Sequence, residues 1–283
     1  MRFLYVTDIH GDKEKYLKLL QIAIEGNYKY IIDGGDMLPK GFGRLEKQTN
    51  YINDFLTGYL KKLQDAEITY LCMLGNDDIL PMDTFFDSLC KEYDNVHNIA
   101  NNKVVLNGYE FIGMNYVLDH PFGCKDRVVN EDNCVLQEQL ASAFISTVDG
   151  HEQIEDWCNY REKSLPKMGD ILNKLPIPTD YKKTIYVMHQ PPKNVGLGIL
   201  NSGLDVGSND IYKFLKQQEP LLSLHGHIHE SPDTENGKWI TNINNTTCIQ
   251  PGQTEYDENN LVYVDIDLDN NNFQRKICKV KKY

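Results

Sequence analysis

The amino-acid sequence predicts an α/β fold built around a parallel β-sheet. Two observations support this class. Short apolar runs alternate with segments of helical periodicity over the first 75 residues, and further short apolar runs that end in turns follow residue 95. Strand–helix–strand alternation is typical of parallel sheets, because parallel neighbours need a crossover connection, and that crossover is almost always right-handed.

The first part of the chain predicts three strands and two helices. The first strand spans about residues 2–7, and a helix follows over residues 12–25 with Asp12 as its N-cap. The runs YKYIID and ITYLCM predict the next two strands, with a helix near residues 48–65 between them. The side chains expected on the buried face of the first helix are Tyr16, Leu19, Leu20, Ala23 and Ile24.

The later part of the chain predicts short strands around one inserted segment. KVVLNGYEFIGMN consists of two apolar runs joined by Asn107-Gly108, which predicts a type I′ hairpin. The runs TIYVM, LLSL, GKWITN and TTCI predict further strands, and LVYVDIDLDNNNFQRKICKV predicts a closing hairpin. Residues 130–175 are polar and contain Trp157. We expect them to be a helical insertion that caps one side of a single domain spanning residues 1–283.

Composition and charge exclude several classes of function. The chain has 283 residues with a formal net charge of −12, and this acidic field argues against non-specific binding to nucleic acid. The seven cysteines are scattered without a C-x-x-C pair, which favours reduced thiols in the cytoplasm over a disulfide framework or a zinc ribbon. Neither a signal peptide nor a membrane span is expected.

Five predicted strand ends deliver a histidine, an aspartate or an asparagine. Asp8 and His10 are two residues apart, so in an extended chain they would share a face, and His227 and His229 repeat that spacing. Seven such side chains favour two metal ions over one, and the mixture of imidazole and oxygen ligands suits manganese, iron or zinc. The candidate ligands are Asp8, His10, Asp36, Asn76, His189, His227 and His229.

In motif order, the sequence resembles the calcineurin-like metallophosphoesterases. That family's pattern is D-x-H, G-D, G-N-H-D/E, an isolated H and G-H-x-H. The resemblance covers about residues 1–40, 68–80 and 184–267, and it implies a four-layer α/β sandwich of two mixed β-sheets flanked by helices. The matching residues are Asp8-Ile9-His10, Gly35-Asp36, Gly75-Asn76-Asp77-Asp78, His189 and Gly226-His227-Ile228-His229.

The resemblance also implies a role for each ligand. Asp8, His10 and His229 would hold the first metal, and Asn76, His189 and His227 would hold the second. Asp36 would bridge the two metals. The implied activity is hydrolysis of a phosphoester by a metal-bound hydroxide.

One position departs from the family pattern. Asp77 stands where the family usually has a histidine that stabilises the transition state or protonates the departing oxygen. Positive charge from two metals would lower the pKa of Asp77 and make it a poor general acid near pH 7. Asp78, which follows, is expected to cap a helix that starts near Asp83 or to be solvated. His225 is a candidate for the missing proton donor, with a supporting role beside the ligands as the alternative.

Two further segments have competing interpretations. The glycine-rich basic stretch Lys40–Arg44 could contact a substrate phosphate, and a solvated loop is the alternative. Trp157 and Tyr160 are three residues apart in the predicted insertion. We expect them on an amphipathic helix packed on the core, with a lid or a partner surface as the alternative.

Taken together, the residues favour a cytoplasmic, dinuclear metal-dependent phosphoesterase acting on a small substrate. A phosphodiester is favoured over a monoester because it carries less negative charge beside Asp77, and a nucleotide is one candidate substrate. The alternative is an inactive scaffold of the same fold, similar to the small retromer subunit. Retention of all seven ligand positions favours the enzyme. A nuclease acting on long DNA is disfavoured by the acidic charge. No membrane partner is expected, and the sequence leaves a protein partner open.

Overall fold

A computed structural model describes residues 1–132, 137–253 and 259–281. The α-helices within these residues are α1 (Lys13–Glu25), α2 (Arg44–Tyr51), α3 (Thr57–Asp65), α4 (Met82–Cys90), α5 (Trp157–Ser164), α6 (Met168–Lys174) and α7 (Asn209–Gln218). The strands are β1 (Arg2–Val6), β2 (Tyr30–Asp33), β3 (Thr69–Cys72), β4 (Val96–Asn98), β5 (Lys103–Leu106), β6 (Tyr109–Met114), β7 (Val117–Leu118), β8 (Val128–Val129), β9 (Phe144–Thr147), β10 (Gly150–Gln153), β11 (Thr184–Met188), β12 (Leu222–Leu224), β13 (Ile240–Ile243), β14 (Thr246–Ile249), β15 (Asn260–Asp267) and β16 (Asn272–Lys279).

Two six-stranded mixed sheets form the centre of the molecule. The first sheet has the order β16-β15-β1-β2-β3-β4, in which β1 to β4 are parallel and β15 and β16 are antiparallel. The second has the order β13-β14-β12-β11-β6-β5, with antiparallel strands at both edges. The predicted type I′ turn joins β5 to β6, and both of its central residues, Asn107 and Gly108, have positive φ.

Three apolar clusters separate four layers. One cluster lies between the sheets, where Phe3 and Tyr5 of the first sheet meet Phe111 and Val187 of the second. A second cluster packs α1, α3 and α4 on the outer face of the first sheet. A third packs α6 and α7 on the outer face of the second sheet. The arrangement of helices, sheet, sheet and helices confirms the four-layer α/β sandwich.

The first predicted helix is confirmed, with one change to its buried face. The side chain of Asp12 accepts a hydrogen bond from the Lys15 amide and caps α1, as the sequence predicts. Ile24 was expected on the buried face but is 53% exposed. Ala23 already occupies the inward position of that last turn, so the helix turns Ile24 toward solvent. The helix predicted near residues 48–65 begins earlier, at Arg44, and contains a π-helical turn over Ile52–Leu56.

The segment expected to be a helical insertion is only partly helical. Its described residues contain α5 and α6, but also the hairpin of β9 and β10. The signal for this hairpin lies in the sequence, since Asp149-Gly150 follows a run that contains the β-branched residues Ile145, Thr147 and Val148. Residues 133–136 of the segment lie outside the described residues, and the assignment of residues 1–283 to one domain stays a prediction.

Two smaller expectations concern membranes and thiols. No described helix is long and apolar enough to cross a membrane. The cysteines within the described residues are free thiols, namely Cys72, Cys90, Cys124, Cys158, Cys248 and Cys278. The seventh, Cys134, lies outside the described residues.

Candidate metal centre

The candidate ligands follow the carboxyl ends of strands from both sheets. Asp8 follows β1 and Asp36 follows β2, whereas His189 follows β11. Backbone hydrogen bonds join these loops: the His10 amide donates to the Asp36 carbonyl over 2.8 Å, and the Gly226 amide donates to the His189 carbonyl over 3.0 Å. The strand ends of the two sheets therefore meet at one place, as expected for a ligand site in an α/β fold.

Four of the seven candidate ligands have a left-handed backbone conformation. The φ angles are 58° at Asp8, 50° at His10, 55° at Asp36 and 70° at His227. This conformation is unfavourable for residues with a Cβ atom, and clusters of such residues are typical of functional sites. The folded protein therefore accepts an unfavourable backbone conformation at these four residues, and their side chains lie in a common region.

Two groups of ligand atoms converge in this region. Within each group, one potential ligand atom per residue lies within 4.8 Å of the others. Asp36 belongs to both groups, which is the position that the sequence analysis assigns to a bridging carboxylate. The first group is Asp8, His10, Asp36 and His229, and the second is Asp36, His189 and His227.

Individual distances show how close these atoms are. The Nε2 atoms of His10 and His229 are 3.1 Å apart, and Nε2 of His229 lies 3.3 Å from Oδ1 of Asp8. In the second group, Nε2 of His189 lies 3.4 Å from Oδ2 of Asp36 and 3.1 Å from Oδ1 of Asn76. Asn76 therefore joins the second group, and the structure brings together all seven candidate ligands.

The residues fit a pair of metal ions by two criteria. Nε2 of His227 is buried and has no hydrogen-bond partner among the described residues. Buried polar atoms are normally paired, so an unpaired ring nitrogen on a residue of the ligand cluster indicates that another group completes the site. The donor set of imidazole nitrogens, carboxylates and one amide oxygen is typical of transition-metal sites.

Surrounding hydrogen bonds fix the orientation of the ligands. The Thr7 hydroxyl donates to Oδ2 of Asp8 over 2.9 Å, and the backbone amide of His227 donates to the same carboxylate. Nδ1 of His189 donates to the Gly34 carbonyl over 2.8 Å, which directs its Nε2 toward Asp36.

The charge states of the carboxylates and of two histidines also suit metal binding. Burial lowers the pKa of His10 to about 3 and holds the pKa of His227 well below its usual value, so both rings are neutral lone-pair donors at pH 7. Although burial opposes ionisation of Asp8, the nearby His229 lowers its pKa. His189 differs: burial lowers its pKa, but the carboxylates of Asp36 and Asp8 raise it to about 9.

Asp77 contacts the centre without belonging to either ligand group. Its backbone amide donates to Oδ1 of Asp36 over 2.8 Å, and its Oδ1 forms an ion pair with Nη2 of Arg44 at 3.0 Å. Positive charge from two bound metals is expected to lower the pKa of Asp77. The protein's own groups act in the opposite direction: burial, followed by the charge of Asp36, raises this pKa against the effect of Arg44.

The expectation for Asp78 was wrong. Asp78 neither caps α4 nor contacts solvent, because it is fully buried. Its carboxylate accepts hydrogen bonds from the backbone amides of Gly75, Met37 and Leu38, at 2.7, 3.0 and 2.7 Å. These amides lie in the loops that carry Asp36 and Asn76, so Asp78 fixes the two loops relative to each other.

The side chain of His225 is buried and held by backbone hydrogen bonds. The side chain is fully buried, and its Nδ1 donates to the backbone carbonyls of Met188 and Gln190 at 3.0 and 3.1 Å. Burial lowers the pKa of His225 to about 4, so the ring is neutral near pH 7 and carries no imidazolium proton. These contacts favour the supporting role over direct proton donation.

His120 and Phe122 are contacts of the centre that sequence reasoning missed. The ring of His120 stacks on His227 with centroids 5.0 Å apart, and Phe122 meets the same ring edge-on at 6.0 Å. Both follow β7 in a loop without a recognisable motif, and only the tertiary fold brings them to the ligands. Together they cover one side of His227 and restrict its motion.

The basic loop Lys40–Arg44 and the segment that contains Trp157 each had two competing interpretations. Arg44 is only 20% exposed and reaches Asp77, whereas Lys40 is exposed. Trp157 is buried and donates from Nε1 to Oδ2 of Asp119 over 2.8 Å, and Tyr160 stacks on it with centroids 5.9 Å apart. The Trp157 side is therefore packed on the core, as the first interpretation states.

Comparisons with solved structures agree with the fold. The protein TT1561 of Thermus thermophilus is 17% identical, with 97% of each chain covered and a TM-score of 0.57. A second crystal structure is 13% identical over 99% of each chain, with a TM-score of 0.61. A structure described as a novel archaeal phosphodiesterase is 9% identical and covers 98% of this chain and 100% of its own, with a TM-score of 0.46. At these identities the first two likenesses show the fold alone, and nothing is inferred from the third.

Sequence comparison identifies the family. No curated protein matches the chain significantly. The family model described as calcineurin-like phosphoesterase matches residues 1–231, which is most of the 283-residue chain and includes all seven candidate ligands. The protein therefore belongs to the calcineurin-like phosphoesterase family.

Proposed function

We propose that the protein is a hydrolase that uses two transition-metal ions to cleave a phosphodiester. The observation that carries this proposal is the position of Asp36, which is shared by two separate groups of ligand atoms. A single metal site has no need for a second group of three ligands around the same carboxylate. Manganese, iron and zinc all suit this donor set.

Two such ions, when bound, supply Lewis-acid stabilisation of phosphoryl charge and a nucleophile at neutral pH. Other residues of the protein hold the ligand side chains in one orientation. Asp78 holds the loops of Asp36 and Asn76 together, and the Gly34 carbonyl sets the tautomer of His189. Ligands held by such outer contacts lose little conformational entropy when a metal binds.

The charge around Asp77 supports a diester as substrate. Asp77 brings a third carboxylate close to Asp8 and Asp36, and its Oδ2 lies 3.9 Å from Nδ1 of His10. A phosphomonoester dianion would meet more repulsion from these carboxylates than a diester monoanion. Arg44 is the basic side chain placed to contact a phosphoryl oxygen, because arginine binds phosphate and carboxylate groups with the same planar donors.

The alternative is a scaffold that retains the fold without turnover. The aspartate at position 77 supports this alternative, because the family's usual histidine is missing there. The complete set of seven ligands supports the enzyme, because binding to a partner does not require two metals. We further infer a cytoplasmic location and a small phosphoester substrate, with a nucleotide as one candidate and no affinity for membranes or bulk nucleic acid; the free thiols and the net charge support these inferences.

The test measures metal content and turnover on the same sample. Protein purified with manganese is analysed for metals and then assayed with bis(4-nitrophenyl) phosphate and with 4-nitrophenyl phosphate. We expect about two metals per chain and faster turnover of the diester, and a chelator should abolish both. Two metals without turnover of either ester would support the scaffold, and faster turnover of the monoester would contradict the choice of a diester.

A further inference from the structure

A cavity of about 390 Å³ is lined in part by residues 41–45, in the basic loop and the start of α2. The segment around the β9–β10 hairpin contributes Ala141, Ser142, Phe144, Ser146, Gly150 and His151 to the same cavity. Carbon atoms of aromatic rings and aliphatic side chains make up most of the lining. The lining includes Phe42, Leu45, Ile79, Phe144 and His151. The volume and the apolar lining are typical of cavities that bind small molecules.

The cavity is connected to the metal centre by Arg44. The side chain of Arg44 lines the cavity and pairs with Asp77, whose amide donates to Oδ1 of Asp36. Ile79 also lines the cavity and lies three residues after Asn76. A substrate whose phosphoryl group lies at the metal centre would therefore have a neighbouring space for one of its ester groups.

Arg44 has an unused hydrogen-bond donor in this region. Its Nη2 pairs with Asp77, but Nη1 is buried and has no hydrogen-bond partner within the described part of the chain. Burying a charged donor without a partner is costly. A phosphoryl oxygen would satisfy Nη1, and the planar guanidinium would then bridge Asp77 and the substrate.

The hairpin wall is fixed in place by hydrogen bonds to the core. Asp126 accepts from the Ser146 amide over 2.7 Å and from the Leu80 amide over 2.9 Å, which joins the hairpin to the loop that follows Asp77. The Phe144 amide also donates to the Gly123 carbonyl over 2.9 Å. The cavity is therefore preformed, and binding would cost little ordering entropy.

The aromatic rings in the walls indicate what the cavity binds. Phe42 is 98% exposed, although a phenylalanine side chain gains stability from burial, and Phe144 meets His151 at a centroid distance of 5.2 Å and an angle of 59°. Planar aromatic groups pack well against such rings, in offset or edge-to-face arrangements. An aromatic ring that entered the cavity would cover Phe42 and pack against the rings of Phe144 and His151.

We propose that this cavity binds a planar aromatic group carried by the phosphoester substrate, while Arg44 contacts the phosphoryl group. The proposal rests on the proposed function, because it places the phosphoryl group at the metal centre. The cavity thereby determines substrate class: aromatic esters should be preferred over alkyl esters of the same phosphate. The aromatic group is either an aryl ring or a nucleobase, since both offer the same planar chemistry.

The experiment compares two diesters with the same leaving group. Bis(4-nitrophenyl) phosphate retains an aryl group after cleavage, and methyl 4-nitrophenyl phosphate retains a methyl group. We expect kcat/KM to be about tenfold higher or more for the aryl ester, in line with burial of one aromatic ring. The 4-nitrophenyl ester of thymidine 5′-phosphate tests the nucleobase: a rate above that of the methyl ester assigns the cavity to nucleotides, and an equal rate assigns it to smaller aryl groups.

A matched pair of variants tests the location. Ser142 is exposed at the cavity wall, so Ser142→Trp should fill the cavity and reduce the aryl preference to less than about threefold. Val148 is 77% exposed on the same hairpin and does not line the cavity, so Val148→Trp should keep the full preference. Equal preference in wild type and Ser142→Trp would overturn the proposal. Phe42→Ala, at an exposed position, provides a second variant expected to weaken the preference without affecting folding.

A binding measurement separates failure of this proposal from failure of the proposed function. Phenylphosphonate and methylphosphonate are titrated into the manganese-loaded protein by calorimetry, which needs no turnover. We expect phenylphosphonate to bind about tenfold more tightly in wild type and Val148→Trp, but not in Ser142→Trp. If neither diester is hydrolysed but phenylphosphonate still binds more tightly than methylphosphonate, the cavity proposal is supported and the enzyme proposal fails. If both diesters are hydrolysed and the two phosphonates bind equally, the cavity proposal fails alone.

Discussion

Arg44 forms an ion pair with Asp77, with 3.0 Å between Nη2 and Oδ1. This pair links the basic loop after β2 to the loop after β3. It also places a cation next to the carboxylate of Asp77. Because the Asp77 amide donates to Asp36, the pair lies one hydrogen bond from the candidate bridging ligand.

Arg44→Ala should lower kcat/KM for a phosphodiester about 10- to 100-fold, because one charged hydrogen bond to the phosphoryl group is lost. Metal content should stay at about two per chain, since Arg44 belongs to neither ligand group. Lys47→Ala is the control, as Lys47 is an exposed cation in the same helix. Equal effects of the two substitutions would show that Arg44 acts only through general charge.

Asp36→Asn should lower the occupancy of both metals, because Asp36 belongs to both ligand groups. An amide lacks the negative charge that a bridging position between two cations requires. Asp12→Asn is the control, since asparagine also caps helices and Asp12 caps α1. Elemental analysis under manganese saturation measures the result. Two metals retained in Asp36→Asn would contradict the bridging role.

The cluster of candidate ligands could be predicted from sequence because its signals are local. Each ligand follows an apolar strand within a few residues, and sheet topology brings the strand ends together. His120, by contrast, approaches His227 from a loop 107 positions away in sequence, and nothing in its neighbours indicates that contact. The role of Asp78 was missed for a similar reason, since two of its three amide partners lie about 40 residues earlier.

The inserted segment was harder to predict because its structure depends on distant contacts. Met168 and Leu172 pack into the cluster on the outer face of the second sheet, so part of the segment belongs to the core. We predict that residues 130–175 shape substrate access without building the metal centre. This prediction concerns mainly the β9–β10 hairpin, which lines the cavity beside Arg44.

Glu131→Ala should destabilise the protein by about 2–4 kcal/mol. The buried carboxylate of Glu131 accepts from the Ser208 hydroxyl at 2.7 Å and from the amides of Asn209 and Asp210 at the start of α7, and its removal leaves these donors unpaired. Asp132→Ala is the neighbouring control: its ion pair with Lys167 is exposed, so it should cost less than about 1 kcal/mol. Urea unfolding of both variants measures the difference, and equal losses would contradict the capping role.

Asp33→Asn should change how stability depends on pH. Asp33 is fully buried, and burial raises its pKa to about 7 despite hydrogen bonds from Tyr70 and Tyr16. A raised folded-state pKa means that the folded state binds an extra proton between pH 4 and 7. The associated stability is present below pH 4 and is lost as the pH rises through 7.

The measurement is the free energy of unfolding of wild type and Asp33→Asn at several pH values, with a chelator present throughout. Relative to the variant, the free energy of unfolding of wild type should fall by a few kcal/mol between pH 4 and 8. A pKa that is higher by one in the folded state corresponds to about 1.4 kcal/mol. Subtracting the two curves removes the contribution of the other carboxylates. A flat difference would show that Asp33 ionises at its usual pH in the folded protein.

Asp77 should make protonation of the leaving group the weak step of the reaction. Esters of acidic alcohols such as nitrophenol leave without a proton donor, whereas esters that expel an alkoxide need one. Turnover should therefore fall steeply as the pKa of the leaving group rises, and each tenfold loss corresponds to about 1.4 kcal/mol of missing transition-state stabilisation.

Two substitutions at position 77 test this explanation. Asp77→His should flatten the dependence on leaving-group pKa, because it restores an imidazole beside His10 and Arg44. Asp77→Asn should change the rate for nitrophenyl esters little, since its backbone amide still donates to Asp36. Turnover is measured against leaving-group pKa for wild type and both variants, with metal content checked in each. If Asp77→Asn retains two metals but loses nitrophenyl-ester hydrolysis, the Asp77 carboxylate has an essential role of its own, such as orienting the attacking water.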